Sequence, residues 1–230
     1  MMAAGLRQLY TGSFVRLVPA TPAWLTGTAG WARGAGLLLV LAGAAMLTRR
    51  WARPAALAVA ALLLLVFVAA QLPPALGNPW TGYMWTNPCK VLALFGGALA
   101  IANFRRGPAW FLLAVFLMVC GVQHFVYAAF VDTLVPGWIP PGRRFWTITA
   151  GLALLAGGTG LLVPRTARAA ALLSALMVFL WVFLVHLPRA ASGRSSMEFD
   201  GVGEALAICG VALLAAGAPR GGRAPEPLAR

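Results

Sequence analysis

The chain is short of ionisable groups. Its 230 residues hold two histidines, three cysteines and only five acids, and charged residues make up 10% of it. A soluble domain is about a quarter charged and about half apolar. This chain is 61% hydrophobic with a mean hydropathy of +0.83, which excludes an ordinary water-soluble domain. Cys89, Cys120 and Cys209 are scattered, without the close spacing of a redox dithiol or a cysteine metal site. They read as small apolar core residues, and a disulfide between Cys89 and Cys209 stays open because both fall near the outer ends of their helices. The glycine-rich stretches lack the strand–loop–helix setting and the lysine of a phosphate loop. No short positive region followed by a cleavable apolar core opens the sequence.

What is present is apolar sequence in long runs, such as "PAALAVAALLLLVFVAAQL" and "ALLSALMVFLWVFLVHL". About 20 apolar residues cross a bilayer. The pattern predicts an all-α membrane protein of about seven transmembrane helices, at 27–48, 54–71, 88–104, 108–130, 146–163, 168–187 and 202–218. Residues 1–26 are amphipathic and broken by proline, and read as an interfacial segment. Residues 219–230 read as a tail. Trp80, Trp85, Trp138 and Trp146 suit an outer aromatic belt, and Trp51 and Trp110 an inner one.

The net charge of +13 does not point to nucleic acid. The basic residues form no stripe; they fall in short loops between apolar runs. Tight acid-free turns with Arg49, Arg50 and Arg53, Arg105 and Arg106, and Arg165 and Arg168 share one side with the C-terminus. The other side has longer loops and most of the acids. This places the C-terminus in the cytoplasm and the N-terminus outside, in a multi-pass cell-membrane protein.

The chain also repeats itself. Laying residues 31–73 over 146–188 matches Trp31 with Trp146, Gly36 with Gly151, Gly43 with Gly158, Arg50 with Arg165 and Arg53 with Arg168, and "QLP" with "HLP". After one residue of slippage, "KVLALFGGAL" lies over "EALAICGVAL". The first three spans thus pair with the last three in the same orientation, a parallel repeat about an axis along the membrane normal. The fourth span lacks a full partner; "FVRLVPATPAW" (14–24) echoes "FVDTLVPGWIP" (130–140) as its remnant. Residues 27–104 are then a degenerate three-helix repeat, and 108–218 a four-helix unit. Gln71 stands where His186 stands, and Lys90 where Glu204 stands, so the second copy is the better place for a site.

Both histidines and four acids fall at the outer side: His124 about 9 Å below the end of the fourth span, His186 at the end of the sixth, Glu204 at the start of the seventh, and Asp132, Glu198 and Asp200 in loops. An ionisable group kept within a membrane is a functional candidate. His124, His186, Glu204 and Asp132 form the candidate polar site, able to relay protons or hold a quinone's oxygens. The plainer readings are a His124 satisfied by Tyr127 one turn on, a His186 bonded to a helix-end carbonyl, and solvated acids. No two of these residues have ligand spacing within one helix, so no metal is expected.

At "HF", "LVPGWIPP", "FWTITAGLALLAGGTGLL", "PRTARAAALLSALMVFLWVFLVHLPR" and "EALAICGVALL", residues 108–218 resemble the DoxX-like family of membrane proteins. The resemblance implies a four-helix unit and a redox-associated subunit, with a quinone as possible cofactor and a soluble or membrane oxidoreductase as possible partner. It carries His124, His186 and Glu204 as site positions. Two alternatives stand beside it: a non-redox membrane enzyme acting on a lipophilic substrate with a carboxyl general acid, and a carrier or structural membrane partner.

Overall fold

The computed structural model describes residues 2–14, 29–102, 107–192 and 197–217. Among these every regular element is a helix. In chain order they are α1 (Met2–Thr11), α2 (Ala29–Met46), α3 (Ala52–Gly77), α4 (Thr86–Ile101), α5 (Gly107–Val126), α6 (Ala128–Leu134), α7 (Arg143–Leu162), α8 (Ala167–Ala191) and α9 (Met197–Ala216). A 3₁₀ turn, Gly82–Trp85, leads into α4. Six helices are long and apolar enough to cross a membrane: α2, α3, α5, α7, α8 and α9. Their large side chains face outward in numbers, Leu38, Leu65, Phe111, Leu173 and Leu213 among them, as lipid-facing surface requires. The helix expected at 88–104 is α4, about 24 Å long at 1.5 Å per residue. It packs against α3, α5 and α9.

Two boundaries differ from the expected ones for a local reason. The helices expected to end at 71 and 187 continue to Gly77 and Ala191 through a π turn in each, Phe67–Gln71 and Val182–His186. The N–H of Leu72 bonds the Phe67 carbonyl, and that of Leu187 the Val182 carbonyl. Each is followed by proline, Pro73 or Pro188, which has no N–H and whose ring would strike the carbonyl four residues back. Widening the turn relieves this, and the helix goes on. The fourth span breaks where Tyr127 leaves the helical region (φ −111°, ψ 32°), and α6 follows as a separate short helix.

The halves are built alike, and α1 belongs to the likeness. In the second half α5 lies along α7: Gly151 meets the Cβ of His124 and the ring of Phe125, and Gly158 meets Met118. In the first half α1 lies along α2: Gly36 meets the Cβ of Gln8 and the backbone of Leu9, and Gly43 meets Met2. Since Gly36 corresponds to Gly151 and Gly43 to Gly158, α1 is the counterpart of the C-terminal half of α5, with Gln8 in the place of His124. Of residues 1–26, expected as an interfacial segment, the described helix is α1, whose amphipathic face packs on α2 and buries Gly5 and Gln8. The expected remnant at 14–24 lies, beyond Phe14, outside the described residues. The tail, 219–230, also lies outside them.

The halves meet through α4 and α9. Corresponding residues touch each other there: Gly97 packs on Val211, and one heptad away Lys90 bonds Glu204. Such self-pairs mark an axis of pseudo-two-fold symmetry. The main core lies on the second half's side of it, with Leu113, Leu117, Leu154, Ala171 and Ala212 nearly fully buried. A smaller cluster around Val59, Leu63 and Val91 lies on the other.

Candidate functional site

The four candidate residues all lie toward the end of the bundle that carries α6 and the 3₁₀ turn, called the outer end below. They sit in four settings. His124 is held in the last turns of α5. Its Nδ1 lies 2.8 Å from the Cys120 carbonyl, so Nδ1 carries the proton and Nε2 is left as an acceptor. The imidazole stacks on Trp181 of α8, centroids 6.0 Å apart and planes 22° from parallel. Tyr127, the partner suggested by sequence, turns elsewhere. Its ring meets Tyr83 edge-on, and its hydroxyl accepts from the Tyr83 N–H at 3.3 Å.

His186 closes the π turn of α8, and its Nδ1 faces Gly201 of α9, 2.9 Å from where a Cβ would stand. Only a residue without a side chain lets the ring approach so closely. Glu204, almost one turn deeper on α9, accepts a 2.5 Å hydrogen bond from Lys90 Nζ, which also donates to Asn87 Oδ1 at 3.2 Å. Both ion-pair partners are about one-sixth exposed. Trp181 and Ala205, the neighbour of Glu204, pack on the same core cluster as Cys120.

Asp132 stands apart. It lies in α6 rather than a loop, accepts from the Thr147 hydroxyl at 2.7 Å and pairs with Arg144 at 3.2 Å. Thr147 has no exposed surface. Asp132 therefore ties α6 to the start of α7. Asp200 is also helical, in the first turns of α9. Its side chain is only 7% exposed and pairs with Arg7 of α1; it is not a solvated acid. The side chain of Glu198 lies outside the described residues.

Sequence reasoning missed the residues that link the halves. Gln123 donates to the Gly82 carbonyl at 2.7 Å and accepts from Thr86 at 2.8 Å. Arg7 corresponds to Gln123, and Asp200 to Thr86. The Arg7–Asp200 and Gln123–Thr86 contacts are thus the same contact made twice, once as an ion pair and once as a neutral hydrogen bond. The signal was available in "GLRQLY" (5–10), which lies over "GVQHFV" (121–126) once the register of α1 is known. The three cysteines are free thiols, with Cys89 and Cys209 buried. Among the described residues no three His, Cys, Asp or Glu side chains group to hold a metal ion.

Comparison with known proteins bears on the second half. A family model described as a domain of unknown function (DUF8561) matches residues 113–215, from within α5 to near the end of α9. That segment contains His124, Asp132, His186 and Glu204. Comparisons with curated proteins and with solved structures gave no match.

Proposed function

We propose that the chain is a DoxX-like, redox-associated membrane subunit that binds a quinone or similar lipophilic molecule near its outer end. The observation that carries this reading is the His124–Trp181 pair. The imidazole stacks on the flat indole, and its Nε2 is left able to accept a hydrogen bond. A quinol head offers the two matching features, a flat ring and a hydroxyl donor. The ring would lie against Trp181 and the hydroxyl would donate to Nε2. Glu204, held by Lys90, carries a charge toward the same end of the bundle, and His186 faces Gly201, three residues before it on α9. In this reading α4 is a seventh span, shielded among α3, α5 and α9, and the C-terminus is cytoplasmic by the basic turns on its side. Electrons would pass between the quinone and a partner oxidoreductase; the chain's own part is to hold the head group and accept its proton.

The test uses the full chain in lipid nanodiscs with a short-tailed ubiquinol. Native protein should bind it, and His124→Ala should weaken binding about ten-fold, the loss expected for one buried hydrogen bond of about 1.4 kcal/mol. His124→Gln, which retains an acceptor, should recover part of it. Equal binding by native protein and both variants would rule out His124 as the contact.

A further inference from the structure

The register of α4 against α5 brings two thiols to one contact. The helices run antiparallel. Near the outer end the Thr86 hydroxyl donates to Gln123 at 2.8 Å. Further in, a Cβ on Gly96 would stand 2.9 Å from the Cα of Ala109 and 3.3 Å from Leu112. Between these two contacts each helix carries one cysteine. Cys89 lies three residues past Thr86, and Cys120 three residues before Gln123. Each is therefore almost one turn inward, on the face its helix turns to the other. The next step of the same register sets Ala93 against Phe116. Cys89, Ala93 and Phe116 are all buried in the main core, and Cys120 packs against it. The two thiols also lie within electrostatic reach of one another.

Packing does not call for sulfur here. The Arg7–Asp200 contact repeats Gln123–Thr86 across the axis, and the same register there sets Ala4 against Gly203. The third cysteine is engaged elsewhere: the Cys209 thiol donates to the Ala175 carbonyl of α8 at 3.5 Å. Cys120, rather than Cys209, is thus the cysteine that faces Cys89. The pair also adjoins the His124 site. Cys120 and His124 are four apart on α5, so their side chains are neighbours, and the Cys120 carbonyl holds Nδ1.

We propose that Cys89 and Cys120 are a redox pair that closes to a disulfide, with the quinone held at His124 as oxidant. This rests on the quinone reading given above. Both S–H bonds break and one S–S bond forms. The dithiol loses two electrons and two protons, and the quinone takes up both and becomes the quinol. One quinol hydroxyl then donates to His124 Nε2. The new bond ties α4 of the first half to α5 of the second.

The test uses the reduced full chain in lipid nanodiscs, with a short-tailed ubiquinone as probe. Alkylation under denaturing conditions, read by intact mass, counts the free thiols. Reduced protein should take three labels, one per cysteine. After ubiquinone it should take one, and peptide mapping should join Cys89 to Cys120. Cys89→Ser and Cys120→Ser should each keep both remaining labels. Diamide, which oxidises thiols without a binding site, is the comparison. His124→Ala should slow closure by ubiquinone about ten-fold relative to closure by diamide. Bound quinol with all three labels retained after ubiquinone would overturn the proposal and leave the quinone reading standing. A bond from Cys89 to Cys209, or between two chains, would overturn it as well. No quinol binding at all would remove both.

Discussion

A single ionisable residue in this chain is best read through its counterpart. Lys90 and Glu204 occupy equivalent positions on α4 and α9 and meet at the axis. Exchanging them, as Lys90→Glu with Glu204→Lys, should preserve the contact, because each charge enters the other's setting. Either change alone puts two like charges together, and we expect it to cost about 1–3 kcal/mol, the scale of a lost charged hydrogen bond. Thermal unfolding in detergent checks this: single variants low, double variant near native. A double variant no better than the singles would deny the pairing. Gln71 gives the opposite sign. It takes the place of His186, is buried, and its Nε2 has no partner among the described residues. Gln71→Leu removes an unsatisfied donor and should raise stability by about 1 kcal/mol, seen as a higher unfolding midpoint. For Asp132 the expected change is structural. Thr147→Val should lower the midpoint by loosening α6 while leaving quinol binding untouched; a loss of binding would return Asp132 to the site.

At the scale of elements, glycines set how closely helices approach. Gly151 and Gly36 let α5 and α1 lie against their partners with backbone nearly touching. Gly151→Leu and Gly36→Leu should both destabilise, the first more severely because α5 runs the full length of the core. Comparing their midpoints tests whether α1 is held as α5 is. Most of the elements were legible in the sequence. Apolar length marks a span, and six of the seven expected stand out on length and composition. The π turns were not legible, although "QLP" and "HLP" flag them, because proline equally allows a helix to end. Nor was the role of α1. Its ten residues are too short to signal a span, and its partner is fixed by contact with Gly36 rather than by any periodic pattern.

For the whole molecule, the duplication was readable from aligned Trp, Gly, Arg and Pro marks, but the way the copies join was not. Helices in lipid are apolar toward lipid and toward each other alike, so hydropathy does not say which faces meet. The candidate site suffered from the same limit. Sequence put His124, His186, Glu204 and Asp132 at one end; it could not tell that Asp132 answers to Thr147 and Arg144, or that Trp181 stacks on His124. The structure shows each half lending a helix to the other, α5 packing on α4 and α1 touching α9. Residues 107–217 expressed alone should therefore be less stable than the same residues co-expressed with 1–102, a difference readable by yield and size-exclusion profile.

The most direct measurement of the account is quinol affinity in nanodiscs for native protein, His124→Ala and Trp181→Ala. The His124–Trp181 reading predicts measurable binding by the native chain and about a ten-fold loss in each variant, from the missing hydrogen bond in one and the missing stacking face in the other. Affinity unchanged in both variants, or no binding by the native chain, would contradict it.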